Sequence, residues 1–125
     1  MTEKEIFIEK MKKRTKKFAV DIFLFCNTLI SGKASNVVTY QLVKSATSVG
    51  ANYRAACRGR SKAEFYSKIC IVVEESDESE YWLEIINDTQ LSTEQKELDR
   101  LLKESNEITK IMSSAKANTS RSLNH

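Results

Sequence analysis

The amino-acid sequence predicts an all-α protein, folded as an antiparallel up-down-up-down four-helix bundle. Three observations lead to this prediction. The 125 residues include no proline and only three glycines, so the strongest helix breaker is absent. Side-chain capping signatures mark helix starts, and apolar residues recur at helical spacing in four long segments. Because short connections join these segments, consecutive helices are expected to run antiparallel.

Three of the four helix starts carry a capping box, in which a hydroxyl cap is followed three residues later by Glu or Gln. The pairs are Thr2 with Glu5, Ser61 with Glu64, and Ser92 with Gln95. The second helix has the N-cap types Ser35 and Asn36 at its start. Gly32 and Gly59 predict left-handed ends for the first two helices. The predicted helices cover about residues 3–31, 36–58, 62–88 and 93–116.

One apolar stripe per helix predicts the core. The stripes comprise Phe7, Met11, Phe18, Ile22, Phe25 and Leu29; Val38, Leu42, Ala46, Val49, Tyr53 and Ala56; Phe65, Ile69, Val72, Leu83 and Ile86; and Leu98, Leu101, Leu102, Ile108, Met112 and Ala115. Ser76 and Ser79 fill the middle turns of the third stripe. Residues 1–117 therefore form one bundle domain, and the polar residues 118–125 are expected to be a disordered tail.

Apolar side chains outside these stripes predict a surface for self-association. They are Val20, Phe23 and Leu24 on the first helix and Ile71, Trp82 and Ile85 on the third. A monomeric bundle would expose them as a patch, which usually marks a protein interface, and most soluble oligomers are homo-oligomers. The alternative is uneven helix packing that leaves the same side chains half-buried.

The net charge of +3 is small, but the charges are segregated. Residues 10–17 carry six cations and no anion, whereas residues 74–84 carry six anions and no cation. Further cations cluster at the turn between the second and third helices. The candidate nucleic-acid-binding residues are Lys12, Lys13, Lys16, Lys17, Arg54, Arg58, Arg60 and Lys62. Lysine and arginine side chains can track a phosphate backbone; the alternatives are a solvated helix face and salt bridges within or between subunits.

The sequence lacks the motifs of the common enzyme and metal classes. The single histidine is His125, so inward-facing Glu-x-x-His pairs are absent. Neither a Gly-rich phosphate loop nor a nucleophile elbow occurs, and the three cysteines lack CxxC spacing. We therefore expect no enzyme activity, no cofactor and no metal site. A polar N-terminus without a signal peptide, and no long apolar run, predict a cytoplasmic protein with no membrane partner.

The segment from Tyr40 to Ile86 resembles the small bacterial proteins of the 23S rRNA intervening-sequence family. The family pattern S-x-G-A-N-Y-R-A-A-x-R-x-R-S-x-x-E-F is matched by Ser48, Gly50, Ala51, Asn52, Tyr53, Arg54, Arg58, Arg60, Ser61, Glu64 and Phe65. The following pattern E-E-x-D-E-x-x-x-W-L is matched by Glu74, Glu75, Asp77, Glu78, Trp82 and Leu83. The resemblance implies a four-helix bundle that assembles as a homopentamer. The family has no agreed catalytic residues, so none is carried over.

Two functions are consistent with these features. The first is a non-enzymatic homo-oligomer, expected to be a pentamer, that binds structured RNA such as rRNA, or another nucleic acid, through basic surfaces. Several copies of a weak patch would bind by avidity. The alternative is an oligomeric scaffold that binds a protein partner, through the acidic third helix for example, with no role in nucleic-acid binding.

Overall fold

A computed structural model describes residues 1–124 of the chain. It contains four helices, α1 (Glu3–Cys26), α2 (Lys33–Cys57), α3 (Lys62–Thr89) and α4 (Gln95–Leu123), and no strand within that range. Each helix packs against the next in sequence, and α1 also contacts α4. Over the described residues the diagonal pairs α1/α3 and α2/α4 make no close contact. The predicted all-α four-helix fold is confirmed.

Hydrogen bonds between helices show that neighbours run antiparallel. Arg14 of α1 bonds to Glu104, whereas Asp21, farther along α1, accepts from Arg100, nearer the start of α4. The same inverse order relates α3 to α4 in the hydrogen-bonded pairs Ser76–Thr109 and Asn87–Gln95. This arrangement places the starts of α1 and α3 beside the ends of α2 and α4, at one end of the bundle.

Thr2 and Ser61 cap α1 and α3 as predicted, although in neither helix does the glutamate accept from the N–H of the capping residue itself. The hydroxyl oxygens of Thr2 and Ser61 accept from the backbone N–H groups of Glu5 and Glu64, each at 3.1 Å. The Glu64 carboxylate in turn accepts from the backbone N–H of Arg60 at 2.6 Å. These bonds satisfy amide groups that a helix start otherwise leaves free. They fix the short turn between α2 and α3, a hairpin that the sequence predicted.

The connection between α1 and α2 differs from the prediction. Helix α1 ends at Cys26, and α2 begins directly after Gly32, which is its N-cap residue. The intervening loop is held by tertiary contacts, since the Ile30 N–H donates to the Leu91 carbonyl at 2.9 Å. Ser35 is inside α2 and its hydroxyl donates to the Ile30 carbonyl instead of capping the helix. The expectations of a helix to residue 31 and a cap at Ser35 or Asn36 are therefore wrong.

Helix α4 begins later and ends later than the sequence indicates. Its N-cap is Glu94, and the Ser92 hydroxyl accepts from the Glu94 N–H at 2.9 Å, so the expected Ser92–Gln95 capping box does not form. The helix continues to Leu123, so residues expected in a disordered tail are helical up to that point; His125 lies outside the described residues. A hydrogen bond of 2.6 Å from Lys62 to Ser122 ties this last part of α4 to the start of α3.

The glycine at the α2–α3 turn acts through its size. Gly59 does not adopt the left-handed conformation expected of it. A Cβ atom there would lie 3.0 Å from the Ala56 carbonyl oxygen and 3.2 Å from the Phe65 nitrogen. The absence of a side chain therefore lets α2 and α3 join within four residues.

The predicted stripes form the core, with a few exceptions. Ser76 and Ser79 are buried as expected, and Thr15, Ser45 and Ser105 join them. The Ser79 hydroxyl donates to Ser45 at 3.0 Å, and no described buried side-chain nitrogen or oxygen lacks a hydrogen-bond partner. The remaining exceptions are Phe7, which is exposed, and Leu29, Phe65, Leu102 and Ala115, which are half-buried.

Ion pairs close the seam between α1 and α4. The Arg14 guanidinium donates to both Glu104 oxygens at 2.6 and 2.8 Å and to Glu107 at 2.7 Å. These bonds, led by the one to Glu104, raise the pKa of Arg14. Nearby, burial favours a higher pKa for Asp21, but hydrogen bonds from Lys17 and Arg100 outweigh it and lower that pKa.

We expect the Arg14→Gln substitution to lower the free energy of unfolding by about 1–2 kcal/mol, because it removes a forked, charge-assisted contact between two helices. Urea denaturation measures the loss, which should shrink at high salt. Lys10→Gln is the matched control, since Lys10 is exposed and forms no ion pair within residues 1–124. Equal stability of the two variants would show that the seam contributes nothing.

Candidate nucleic-acid interface

Three of the predicted basic residues meet on the outer side of the α1–α2 pair. The two helices approach closely at Gly50, where a Cβ atom would lie 3.3 Å from the Thr15 hydroxyl oxygen and 3.5 Å from the Lys16 nitrogen. Because the helices are antiparallel, Arg54, one turn after Gly50, lies level with Lys12, one turn before Lys16. Cations from two neighbouring helices therefore lie at similar levels along the bundle.

Two further cations extend this surface. Arg58 lies one turn beyond Arg54 on α2, and Lys13 lies beside Lys16 on the outer side of α1; both are exposed. We call Lys12, Lys13, Lys16, Arg54 and Arg58 the basic face. Lys12 has a long contact of 3.4 Å to the exposed Glu9. The other four form no ion pair within the described chain.

The remaining predicted cations lie elsewhere. Lys17 contacts Asp21 at 2.7 Å on the side of α1 that meets α4. Arg60 and Lys62 lie at the α2–α3 turn, where they line a cavity of about 670 Å³ together with Lys4. We call this cavity the end pocket. The structure thus divides the eight candidates between a basic face, the α1–α4 seam and the end pocket.

Acidic side chains occupy a different helix. Residues 74–84 of α3 make no ion pair that the described part of the chain contains. Burial and, next, repulsion from Glu78 raise the pKa of Glu75, while the charge of Lys44 opposes this shift. The charge blocks seen in the sequence therefore do not neutralise each other within the bundle.

The six apolar interface candidates fall into two separate groups. Val20, Phe23 and Leu24 on α1 are 48%, 52% and 62% exposed. Ile71, Trp82 and Ile85 on α3 are half-buried, and the last two pack against the core. Because α1 and α3 are diagonal in the bundle, the two groups form two surfaces and not one patch.

Sequence reasoning missed two exposed apolar residues on α2, Val37 and Tyr40. Tyr40 and Phe23 line a groove of about 500 Å³ between α1 and α2, beside Val43. A signal was available, because Val37 and Tyr40 are three residues apart and both fall outside the α2 core stripe. The exposed apolar surface of α1 therefore continues onto α2.

The described residues offer no metal centre. Over residues 1–124 no three His, Cys, Asp or Glu side chains are grouped to hold a metal ion. The three cysteines are free thiols, and burial raises the pKa of Cys26 to about 11. Within the same range no helix has the length and apolar character needed to cross a membrane.

Comparison with known proteins places the chain in a family. Residues 9–114 match the family described as 23S rRNA-intervening sequence protein. The chain belongs to this family. A crystal structure of a protein of unknown function from the S23 ribosomal protein family, from Bacteroides thetaiotaomicron VPI-5482, is 32% identical with a TM-score of 0.78. That similarity covers 88% of this chain and 97% of the other. A search of the curated proteins gives no match.

For this member of the 23S rRNA-intervening sequence protein family, the matched region contains the whole basic face. It also contains Arg60, Lys62, the exposed apolar group of α1 and the half-buried apolar group of α3, whereas Lys4 precedes it. The family match confirms the resemblance that the sequence motifs of the α2–α3 hairpin and of the acidic segment of α3 indicated.

Proposed function

We propose that this protein is a non-enzymatic homo-oligomer, a pentamer by analogy with its family, that binds structured RNA or another nucleic acid through the basic face. The observation that carries the proposal is the set of cations on α1 and α2 that have no ion-pair partner within residues 1–124. Two of them, Lys16 and Arg54, come from helices that approach closely at Gly50, and phosphate is the natural counterion for such a cluster.

The chemistry of the basic face suits a phosphate backbone. Arg54 and Arg58 present guanidinium groups that can hold phosphate oxygens in a bidentate manner. The lysines add point charges along the neighbouring helix. Phosphate contacts position a nucleic acid without reading its sequence, so we expect binding to depend strongly on salt and weakly on base sequence. The family description, which refers to 23S rRNA, makes a structured RNA the first candidate.

Assembly into an oligomer would bring several copies of the basic face together, each of which binds RNA weakly by itself. The exposed apolar group of α1 and the half-buried group of α3 are different surfaces on diagonal helices. Contact between two different surfaces is heterologous and closes into a ring when the rotation between subunits permits. A ring repeats the basic face once per subunit, and a structured RNA that contacts several copies gains affinity through effective concentration.

Fluorescence anisotropy with a labelled RNA hairpin tests the proposal. We expect the Lys16→Glu/Arg54→Glu variant to bind at least about tenfold more weakly than wild type at low salt, because it reverses two phosphate-contacting charges. The matched control is Lys96→Glu/Lys103→Glu, which makes the same charge change at exposed positions of α4. If both variants lose the same RNA affinity, the loss is an effect of net charge and the basic face is not the binding site. If the assembled wild type binds no RNA, the proposal is refuted.

The unpaired acidic segment of α3 favours one alternative, an oligomeric scaffold for a basic protein partner. Under that alternative, Glu74→Lys/Asp77→Lys would abolish partner binding, and Lys16→Glu/Arg54→Glu would leave it unchanged. A pull-down with both variants separates the alternative from nucleic-acid binding.

A further inference from the structure

The end pocket lies where the helix termini meet, next to the Arg58 end of the basic face, but none of the five basic-face cations lines it. It is bounded by the start of α1, the α2–α3 turn and the last turns of α4, and its volume is about 670 Å³. This volume is within the range of about 300–1,000 Å³ that is typical of small-molecule sites. Because α4 extends to Leu123, its last turns form one wall of the pocket through Asn118, Thr119 and Ser122.

The charge of the end pocket has one sign. Its lining includes Lys4, Arg60 and Lys62 but no aspartate or glutamate. The Lys62 ammonium group is held across the pocket rim by its 2.6 Å hydrogen bond to Ser122. Two helix starts and two helix ends lie at this end of the bundle, so their dipoles oppose one another and the side-chain cations decide the sign of the charge. An anionic group is therefore favoured at this rim.

The floor of the end pocket is apolar. It includes Tyr53 and Met112, which are almost fully buried, and the half-buried Phe65. Phe7 also lines it and is 44% exposed, although the sequence places it on the core stripe of α1. An apolar ligand in the pocket would cover this side chain, which the bundle itself leaves uncovered.

We propose that the end pocket binds a small organic anion with an apolar body, of the class of a medium-chain carboxylate. The carboxylate accepts hydrogen bonds from Arg60 and Lys62 at the rim, and the hydrocarbon part packs on Phe7, Phe65 and Met112. This site goes beyond the proposed nucleic-acid function, because it uses neither Arg54 nor the cations of α1 that form the basic face.

Isothermal titration calorimetry with decanoate tests this inference on the full-length protein. We expect wild type to bind decanoate and to bind neither decanol nor decyltrimethylammonium with comparable affinity. Arg60→Gln/Lys62→Gln should weaken decanoate binding by about tenfold or more, since hydrogen bonds to a charged group are lost. Lys96→Gln/Lys103→Gln, with the same loss of charge on α4, should bind decanoate as wild type does.

A second variant tests the apolar floor. Phe7→Ser is expected to leave the fold intact, because Phe7 is exposed, and to weaken decanoate binding through the loss of apolar contact. Equal binding of decanol and decanoate, or wild-type affinity in Arg60→Gln/Lys62→Gln, would overturn the proposed anion site. Wild-type affinity in Phe7→Ser would overturn the assignment of the apolar body to this floor. RNA binding is measured with different variants, so either proposal can fail without the other.

Discussion

Replacing Phe23 and Leu24 with glutamine is expected to convert the proposed assembly into monomers of 14.3 kDa. Both side chains are more than half exposed in the single subunit, so their loss removes little packing within the bundle. In an assembled ring the same positions would be buried. Burying a side-chain amide without a hydrogen-bond partner costs about 1–3 kcal/mol in proteins. Repeated at every interface, this effect separates the subunits. Multi-angle light scattering measures the mass directly.

The control replaces exposed apolar residues outside the proposed interface, as in Ile6→Gln/Leu123→Gln. This variant should keep the wild-type mass, which the family analogy sets at five times that of the monomer. A wild-type protein that scatters as a monomer at tens of micromolar would show that the apolar groups of α1 and α3 do not mediate self-association.

Gly50→Leu is expected to destabilise the bundle by about 2–3 kcal/mol, because overpacking a close helix contact forces the backbones apart. A single Cβ at this buried position would already lie 3.3 Å from the Thr15 hydroxyl and 3.4 Å from its backbone carbon. A leucine side chain must extend farther into α1 and cannot be placed without a shift of the helix. Urea denaturation measures the loss of unfolding free energy.

Two further substitutions serve as controls for Gly50→Leu. Ala51→Leu adds the same side chain at the next, exposed position and should be close to neutral. Gly50→Ala combines a tight contact with a gain in helix propensity of about 1 kcal/mol, so a small net change is expected. If Gly50→Leu is as stable as Ala51→Leu, then α1 and α2 are not as close at this level as the structure shows.

The sequence predicts the four helices well because their signals are local. The capping boxes at Thr2 and Ser61 and the α2 core stripe depend on residues three to seven apart. Two of the errors in helix bounds occur where distant contacts decide the outcome. The Ile30 loop is held by Leu91, and the last part of α4 is tied to Lys62. No local pattern contains either partner, so the end of α1 and the end of α4 were misplaced.

The candidate site was predicted only as a set of residue types. Sequence spacing identifies cations that share one helix face, but it does not give the register between α1 and α2 that places Arg54 level with Lys12. It also does not show that Arg60 and Lys62 lie on a pocket closed by α4. Phe7 illustrates the same limit: its spacing fits the core stripe, yet at the end of the bundle it remains 44% exposed.

The central claim is that pooled copies of the basic face bind RNA, and the salt dependence of binding tests it most directly. The logarithm of the RNA association constant is plotted against the logarithm of the salt concentration for two proteins. They are wild type and Phe23→Gln/Leu24→Gln, the variant expected to be monomeric, whose net charge equals that of wild type. The slope is about −0.7 to −0.9 for each phosphate contacted, so the assembled wild type should show a slope several times steeper than the monomer. Equal slopes for the two forms, or no RNA binding by the assembled protein, would contradict the claim.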